Sequence, residues 1–227
     1  LPMNDYPNTP TKASQRNVLV LFPTARVMNK QYTARGADKL PLPKVALRVW
    51  GNMSNLDSKG LYMQSDIEEL LQRLSPTLNS MSGKTVMLTG AAGFLGRYFI
   101  ALFQMYNETN PISPIEVIAL DNHITSLPLS KNDVRKTDSN IEWIFGGAEL
   151  GASLPSRVQF IIHAAGIASP EHYQSNPLET IDVAVNATRM LLEKALRDNA
   201  RFLYFSSSEI YGDPVPSSIP TSEEYRG

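Results

Sequence analysis

The sequence predicts an α/β fold, a doubly wound parallel sheet with helices on both faces. Two observations predict it. From Lys84 onward, short runs rich in β-branched residues alternate with helical patterns, the arrangement of a parallel sheet covered on both sides. A glycine triplet, Gly90-x-x-Gly93-x-x-Gly96, falls between the first of those strands and the helix that follows it. The chain has 227 residues, 42% of them hydrophobic, which suffices for one substantial core with an extension.

Taken in order, residues 1–64 read as an irregular N-terminal extension. Pro2, Pro7, Pro10, Pro23, Pro41 and Pro43 interrupt it, and only "NVLVLF" and "KVALRVW" look like short strands. Residues 65–227 form the second unit. It opens on a helix, "SDIEELLQRLSPTL", with Ser65 as N-cap and Glu68 completing a capping box. Ile67, Leu70, Leu71 and Leu74 share its apolar face, and Pro76 ends it. "TVMLTG" is then a buried strand, and Phe94 to about Met105 an apolar-rich helix. "IEVIALD", "IEWIFGG" and "VQFIIHAAG" are the second, third and fourth strands. "ETIDVAVNATRMLLEKALRDN" is a long helix and "RFLYFSS" the fifth strand.

Composition narrows the function. The 21 Lys+Arg residues balance 22 Asp+Glu, so no basic excess points to nucleic acid. No apolar run is long enough to span a bilayer, and no basic amphipathic run suggests a membrane surface. With no cysteine, disulfides and thiolate metal sites are ruled out, and His123 and His172 are lone loop histidines, so no metal is expected. "LPMNDYPNTPTK" lacks the layout of a signal peptide, and a cytoplasmic location is expected.

The glycine triplet is weak alone but gains weight from its strand–turn–helix setting. There, backbone N–H groups and the positive end of a helix face a pyrophosphate. Gly90 makes the tight turn, Gly93 lets phosphate approach the backbone, and Gly96 lets helix and strand pack closely. Asp121 closes the second strand 25 residues after Gly96, where a carboxylate accepts hydrogen bonds from ribose hydroxyls and repels a 2′-phosphate. The expected fold is therefore Rossmann-type and the expected cofactor NAD.

"TGAAGFLG", "LDN" (120–122), "HAAG" (163–166) and "SSSEIYGDP" (206–214) occur in order at the strand ends. In these motifs residues 64–227 resemble the extended short-chain dehydrogenase/reductase (NAD-dependent epimerase/dehydratase) family, which acts on nucleotide sugars. Within it, "ASPEHYQSNPLETI" followed by "SSSEIYGDP" is most similar to the UDP-glucuronate decarboxylases. The resemblance implies a cofactor wall of Gly90, Gly93, Phe94, Leu95 and Gly96, with Asp121 and Asn122, and with Ala164, Ala165 and Gly166. It implies Ser207, Ser208 and Glu209 as the catalytic segment, with Ser207 the hydroxyl of the proton relay and Glu209 near the sugar carboxylate. Ser208 stands where the dehydratases carry Asp, which argues against dehydration, and His163 is structural rather than catalytic.

The family's base is a Tyr with a Lys four residues later, a cation that favours phenolate. None of the nine tyrosines here has that Lys. "EEYRG" resembles the run that precedes the pair, which is then expected at about positions 238 and 242, in a sheet truncated at its C-terminus. Ala184 and Ala187 stand where the family often has Asn and Gly, and "FGGAE" lacks an Asp that typically contacts adenine. The resemblance implies a lyase that oxidises the sugar C4 to a ketone, decarboxylates a UDP-hexuronate and re-reduces the product, in a homodimer. The alternatives are a nucleotide-sugar 4-epimerase or 4,6-dehydratase, or a non-catalytic NAD-binding protein.

Overall fold

The structure, a computed structural model, describes residues 18–21 as backbone and residues 62–126 and 138–226 in full. The chain runs through strand β1 (Val18–Leu21), helices α1 (Gln64–Arg73) and α2 (Ser75–Met81), and strand β2 (Thr85–Thr89). Helix α3 (Phe94–Thr109), strands β3 (Glu116–Asp121) and β4 (Ile141–Phe145) and helix α4 (Ala148–Ser153) follow. Strand β5 (Phe160–His163) leads to helices α5 (Pro170–Ser175) and α6 (Pro177–Ile181), a π-helical segment (Asp182–Ala187) and helix α7 (Thr188–Asp198). Strand β6 (Arg201–Phe205) ends the regular structure, apart from two 3-10 turns.

The six strands of the described residues lie in one sheet of order β1-β6-β5-β2-β3-β4, and every pairing among them is parallel. From β2 onward this is the Rossmann order, so the sequence expectation of a doubly wound sheet holds. The strand expected in "NVLVLF" is β1, which lies beside β6 with Val18 opposite Phe202 and Leu21 opposite Phe205. The N-terminal segment thus contributes one strand to the sheet of the second unit. "KVALRVW" lies outside the described residues.

Successive strand residues point to opposite faces, and both faces are covered. Val86, Leu88, Val117 and Ala119 pack with Ile67, Ile100 and Phe103 under α1 and α3. Met87, Ile118 and Leu120 face the other way and pack with Ile161, Leu191 and Ala195 under α4 and α7. The strand starts are tied by side chains: Asn107 of α3 accepts from the Ile115 N–H at 2.7 Å and donates to the Ile115 carbonyl at 2.9 Å.

Three local expectations differ from the structure. Helix α1 starts two residues earlier than the capping-box reading, on an extended Met63 with no side-chain cap. Ser65 is thereby inside the first turn, where its hydroxyl has no cap N–H ahead of it. Pro76 does not simply end a helix. It occupies the first turn of α2, where its missing N–H costs nothing. The long helix over residues 179–199 is interrupted by the π segment, so its two halves are offset.

Candidate functional site

The site lies where the strand order reverses, between β2 and β5, beyond the carboxyl ends of the strands. In open α/β sheets this crevice is where ligands bind. A cleft of about 480 Å³ opens there, within the range of small-molecule and cofactor pockets.

Its floor is the glycine turn. Gly90 has φ of +71°, and a Cβ there would come within 2.7 Å of the Ala164 backbone, so both conformation and space require glycine. A Cβ on Gly96 would collide with the Gly90 carbonyl and the Ala91 backbone, which is why α3 can pack so closely on β2. The loop's own amides are already paired. Ala91 N–H donates to the Leu120 carbonyl at 3.1 Å, Ala92 N–H to Asp121 Oδ2 at 2.9 Å, and Gly93 N–H to the Gly90 carbonyl at 3.1 Å. The amides that start α3, on Phe94, Leu95 and Gly96, have no carbonyl before them within the helix and stand at its positive end. An anion at this turn would take those amides.

Asp121 does more than face a ribose. Its Oδ2 ties down the glycine turn through Ala92, and its Oδ1 accepts from the His123 N–H at 2.8 Å and the Ser126 hydroxyl at 2.8 Å. The side chain is only 8% exposed, so the carboxylate organises the loop as well as lining the cleft. Asn122 lines the cleft beside it, and Ala164, Ala165 and Gly166, at the exit of β5, form the opposite wall.

The structure thus brings together Gly90, Gly93, Asp121, Asn122, Ala164, Ala165 and Gly166. Gly96 is buried behind the turn. The side chains of Phe94 and Leu95 turn away into a separate apolar groove between α1 and α3, so only their backbone can serve the cleft. Ser207, Ser208 and Glu209 are exposed at the end of β6, outside the cleft lining. There the Ser207 hydroxyl accepts from the Glu209 N–H at 3.2 Å and caps a 3-10 turn over Ser208–Tyr211.

Gly146 and Gly147 of "FGGAE", after β4, carry the chain past the cleft to Glu149, in the stretch that the resemblance sets beside the adenine. Sequence reasoning missed a further wall. Glu179 of α6 and Asp182, Val183 and Asn186 of the π segment line the cleft as well. Asp182 accepts from the Asn186 amide at 2.6 Å. Among the described residues that line it, the cleft has carboxylates from Asp121, Glu149, Glu179 and Asp182 and no Lys or Arg. Among the described lining residues, phosphate charge would be met by backbone amides and the helix end.

His163, the last residue of β5, is fully buried beneath this cleft. Burial pulls its pKa down from 6.5 to about 4, against a weaker opposite pull from the Val183 carbonyl. The imidazole is neutral at physiological pH, as expected of a structural histidine.

These features fit a dinucleotide: a turn closed to a Cβ at Gly90 and Gly96, open helix amides, a carboxylate at the second strand's end and a cleft of suitable size. Residues 86–226 match the family model described as the NAD dependent epimerase/dehydratase family. UDP-glucuronic acid decarboxylase 6 of Arabidopsis thaliana is 36% identical over 156 residues, which cover 67% of this chain and 42% of the relative. UDP-glucuronic acid decarboxylase 1 of Xenopus tropicalis is 30% identical over 202 residues, covering 79% of this chain and 45% of the relative. The chain thus spans less than half the length of these curated relatives. Among solved structures, a UDP-N-acetylglucosamine 4-epimerase from Methanobrevibacter ruminantium M1, in complex with UDP-N-acetylmuramic acid, superposes with a TM-score of 0.51. Its sequence identity is 22% over 64% of this chain and 44% of that one, a likeness of fold alone.

Proposed function

The chain belongs to the NAD-dependent epimerase/dehydratase family, and from that premise we propose that its protein uses NAD to decarboxylate a UDP-hexuronate. The observation that carries the reading is the convergence of the glycine turn and Asp121 on one cleft at the strand-order switch point. The similarity of 30–36% to proteins named UDP-glucuronic acid decarboxylases supports the choice of reaction within the family.

Bound NAD⁺ would take a hydride from the sugar C4 and return it at the end of the cycle. The chain's own residues do the rest of the cofactor's binding. The amides at the start of α3 would receive the pyrophosphate, and Asp121 would accept hydrogen bonds from the ribose hydroxyls of the adenosine half while its charge would repel a 2′-phosphate. The Ser207 hydroxyl would relay the C4 hydroxyl proton to the Tyr base of the full-length protein, and Glu209 would act near the sugar carboxylate. Ser208 belongs to the same catalytic segment, in the place where a dehydratase carries its Asp. Once C4 is a ketone, the carboxylate is β to it, and the C–C bond electrons pass into the enolate as CO₂ leaves. Protonation at C5 and hydride return at C4 then give a UDP-pentose.

The reading includes a homodimer. Leu178, Ile181 and Val185 form an exposed apolar stripe on α6 and the π segment, which supports association through that face. Among the described residues no helix is long and apolar enough to cross a membrane.

The test is to supply the full-length protein with UDP-glucuronate and NAD⁺. Release of CO₂ with a UDP-pentose is the expected outcome. A UDP-hexuronate epimer without CO₂ would make it an epimerase, and a 4-keto-6-deoxy product from a UDP-hexose would make it a dehydratase. NAD⁺ binding with no turnover of any UDP-sugar would leave a non-catalytic nucleotide-binding protein.

A further inference from the structure

We propose that His163 and Thr188 form a clamp that holds three walls of the cofactor cleft in register, with His163 a positioning residue rather than an acid or base. This rests on the assignment of NAD to the cleft. The starting point is the π segment, which supplies Asp182, Val183, Asn186 and Ala187 to the cleft lining. A π turn is rare and is found mostly as a single bulge at functional sites. Something outside the helix ladder must favour it.

That something is a continuous line of hydrogen bonds beneath the cleft. Ala165 N–H donates to Thr89 Oγ1 at 3.4 Å, and Thr89 Oγ1 lies 2.7 Å from His163 Nδ1. On the other side of the ring, His163 Nε2 lies 3.0 Å from Thr188 Oγ1, whose hydroxyl donates to the Val183 carbonyl at 3.3 Å, five residues back across the wide turn.

The chemistry of the groups fixes the direction of this line. A carbonyl only accepts, so the single hydrogen of Thr188 goes to Val183, and the Thr188 oxygen must accept from His163 Nε2–H. The ring is then the neutral tautomer with its hydrogen on Nε2. Its Nδ1 accepts from the Thr89 hydroxyl, whose oxygen accepts in turn from Ala165 N–H. No hydrogen is left without an acceptor, and the Val183 carbonyl, which has two lone pairs, faces the ring as well as the Thr188 hydroxyl. The ring has no exposed surface and stacks on Tyr204 at 5.4 Å between centroids, so it has no alternative solvent partner.

The two ends of the line are what give it a purpose. Thr89 is the residue before Gly90, Ala165 belongs to the opposite wall, and Val183 sits in the π segment. One imidazole therefore ties the glycine turn, the exit of β5 and the π segment to each other.

Two measurements on the protein test this. The nitrogen-15 NMR spectrum of the His163 ring at pH 7 is expected to show a single neutral tautomer protonated at Nε2. NAD⁺ binding by calorimetry is expected to weaken roughly 5- to 30-fold in Thr188→Val, which keeps the shape and removes the hydroxyl, and to stay within about twofold in Thr188→Ser. The clamp is overturned by a ring protonated at Nδ1, by Thr188→Val binding NAD⁺ as the unaltered protein does, or by Thr188→Ser losing as much as Thr188→Val. Failure of the unaltered protein to bind NAD⁺ overturns the cofactor assignment, and the clamp's purpose with it. The ring spectrum tells that failure apart from a failure of the clamp itself.

Discussion

A histidine with no exposed surface cannot take a proton without cost to the fold. His163 has its pKa lowered from 6.5 to about 4 by burial, so between those values the unfolded chain binds a proton that the folded chain refuses. Its contribution to stability is complete above pH 6.5 and is lost as pH falls from there toward 4. By linkage the loss amounts to about 3 kcal/mol at pH 4. Urea midpoints measured from pH 7 to pH 4 should therefore fall, and a His163→Gln variant, though less stable at pH 7, should fall less over the same range. Asp198 acts lower. Burial raises its pKa, but the hydrogen bonds from Lys194 and the Val158 N–H, with the charges of Lys194 and Arg197, outweigh that and hold it below 3.8. Its stabilisation is present above 3.8 and goes as pH drops through its folded value, so it does not blur the histidine's window. The glycine turn gives a second expectation at this scale. Gly90→Ala places a side chain at φ of +71° and against the Ala164 backbone, so it should cost roughly 2–4 kcal/mol and abolish NAD⁺ binding. Asp121→Asn should lower the melting temperature as well as NAD⁺ affinity, because an amide nitrogen would replace one carboxylate oxygen that now accepts from Ala92 or from His123 and Ser126. A variant that lost affinity with no change in melting temperature would show that Asp121 serves the ligand only.

Elements separate what the sequence displays from what it hides. The five strands from β2 to β6 were legible because each is a short apolar run, and the glycine turn because three small residues at fixed spacing are needed for close approach. Asp121 was legible for the same positional reason, but its loop-holding bonds were not, since Ala92 and Ser126 carry no pattern that points at a carboxylate. The π segment was hidden more deeply. "ETIDVAVNATRMLLEKALRDN" keeps helical character throughout, and one extra residue in a wide turn changes no residue's preference. What makes the bulge is the tertiary bond from His163 to Thr188, between residues 25 apart in sequence. The wall formed by Glu179, Asp182 and Asn186 went unseen because it depends on that offset. Ser207 and Glu209 show the reverse case: their motif is plain, yet it does not reveal that Ser207 Oγ accepts from the Glu209 N–H and caps a turn while keeping its own O–H hydrogen. Deleting Ala184, an exposed residue within the π segment, tests the offset directly. The segment should close to a regular α-helix, with far-UV helical signal kept, while NAD⁺ affinity drops by roughly tenfold or more as Asp182 and Asn186 rotate relative to α7. Unchanged affinity would mean that the wall's offset does not matter to the ligand.

At the scale of the whole molecule, the sheet's order sets a gradient of stability. Strand β2 is central, paired on both sides, and its Val86, Met87 and Leu88 have no exposed surface. Strand β4 is at one margin and ends on Phe145, which is 74% exposed. Among the described residues strand β1 is at the other margin, paired with β6, and gives β6 a partner along an edge that would otherwise present unpaired backbone groups. Opening should therefore begin at the margins and reach the glycine strand last, since the loss of an edge strand exposes little core and the loss of β2 exposes both faces. Hydrogen exchange resolved by peptide should find the amides of residues 86–88 slowest and those of 18–21 fastest among the strands. Adding NAD⁺ should slow exchange at residues 90–96 and 164–166, and through the His163 line at 183–188, while leaving 18–21 unchanged. If residues 18–21 exchange as slowly as β2, the N-terminal strand is an integral part of the core and its removal should unfold the sheet. If they exchange at the margin's rate, the cofactor cleft is carried by β2 to β6, and β1 serves to cover their edge.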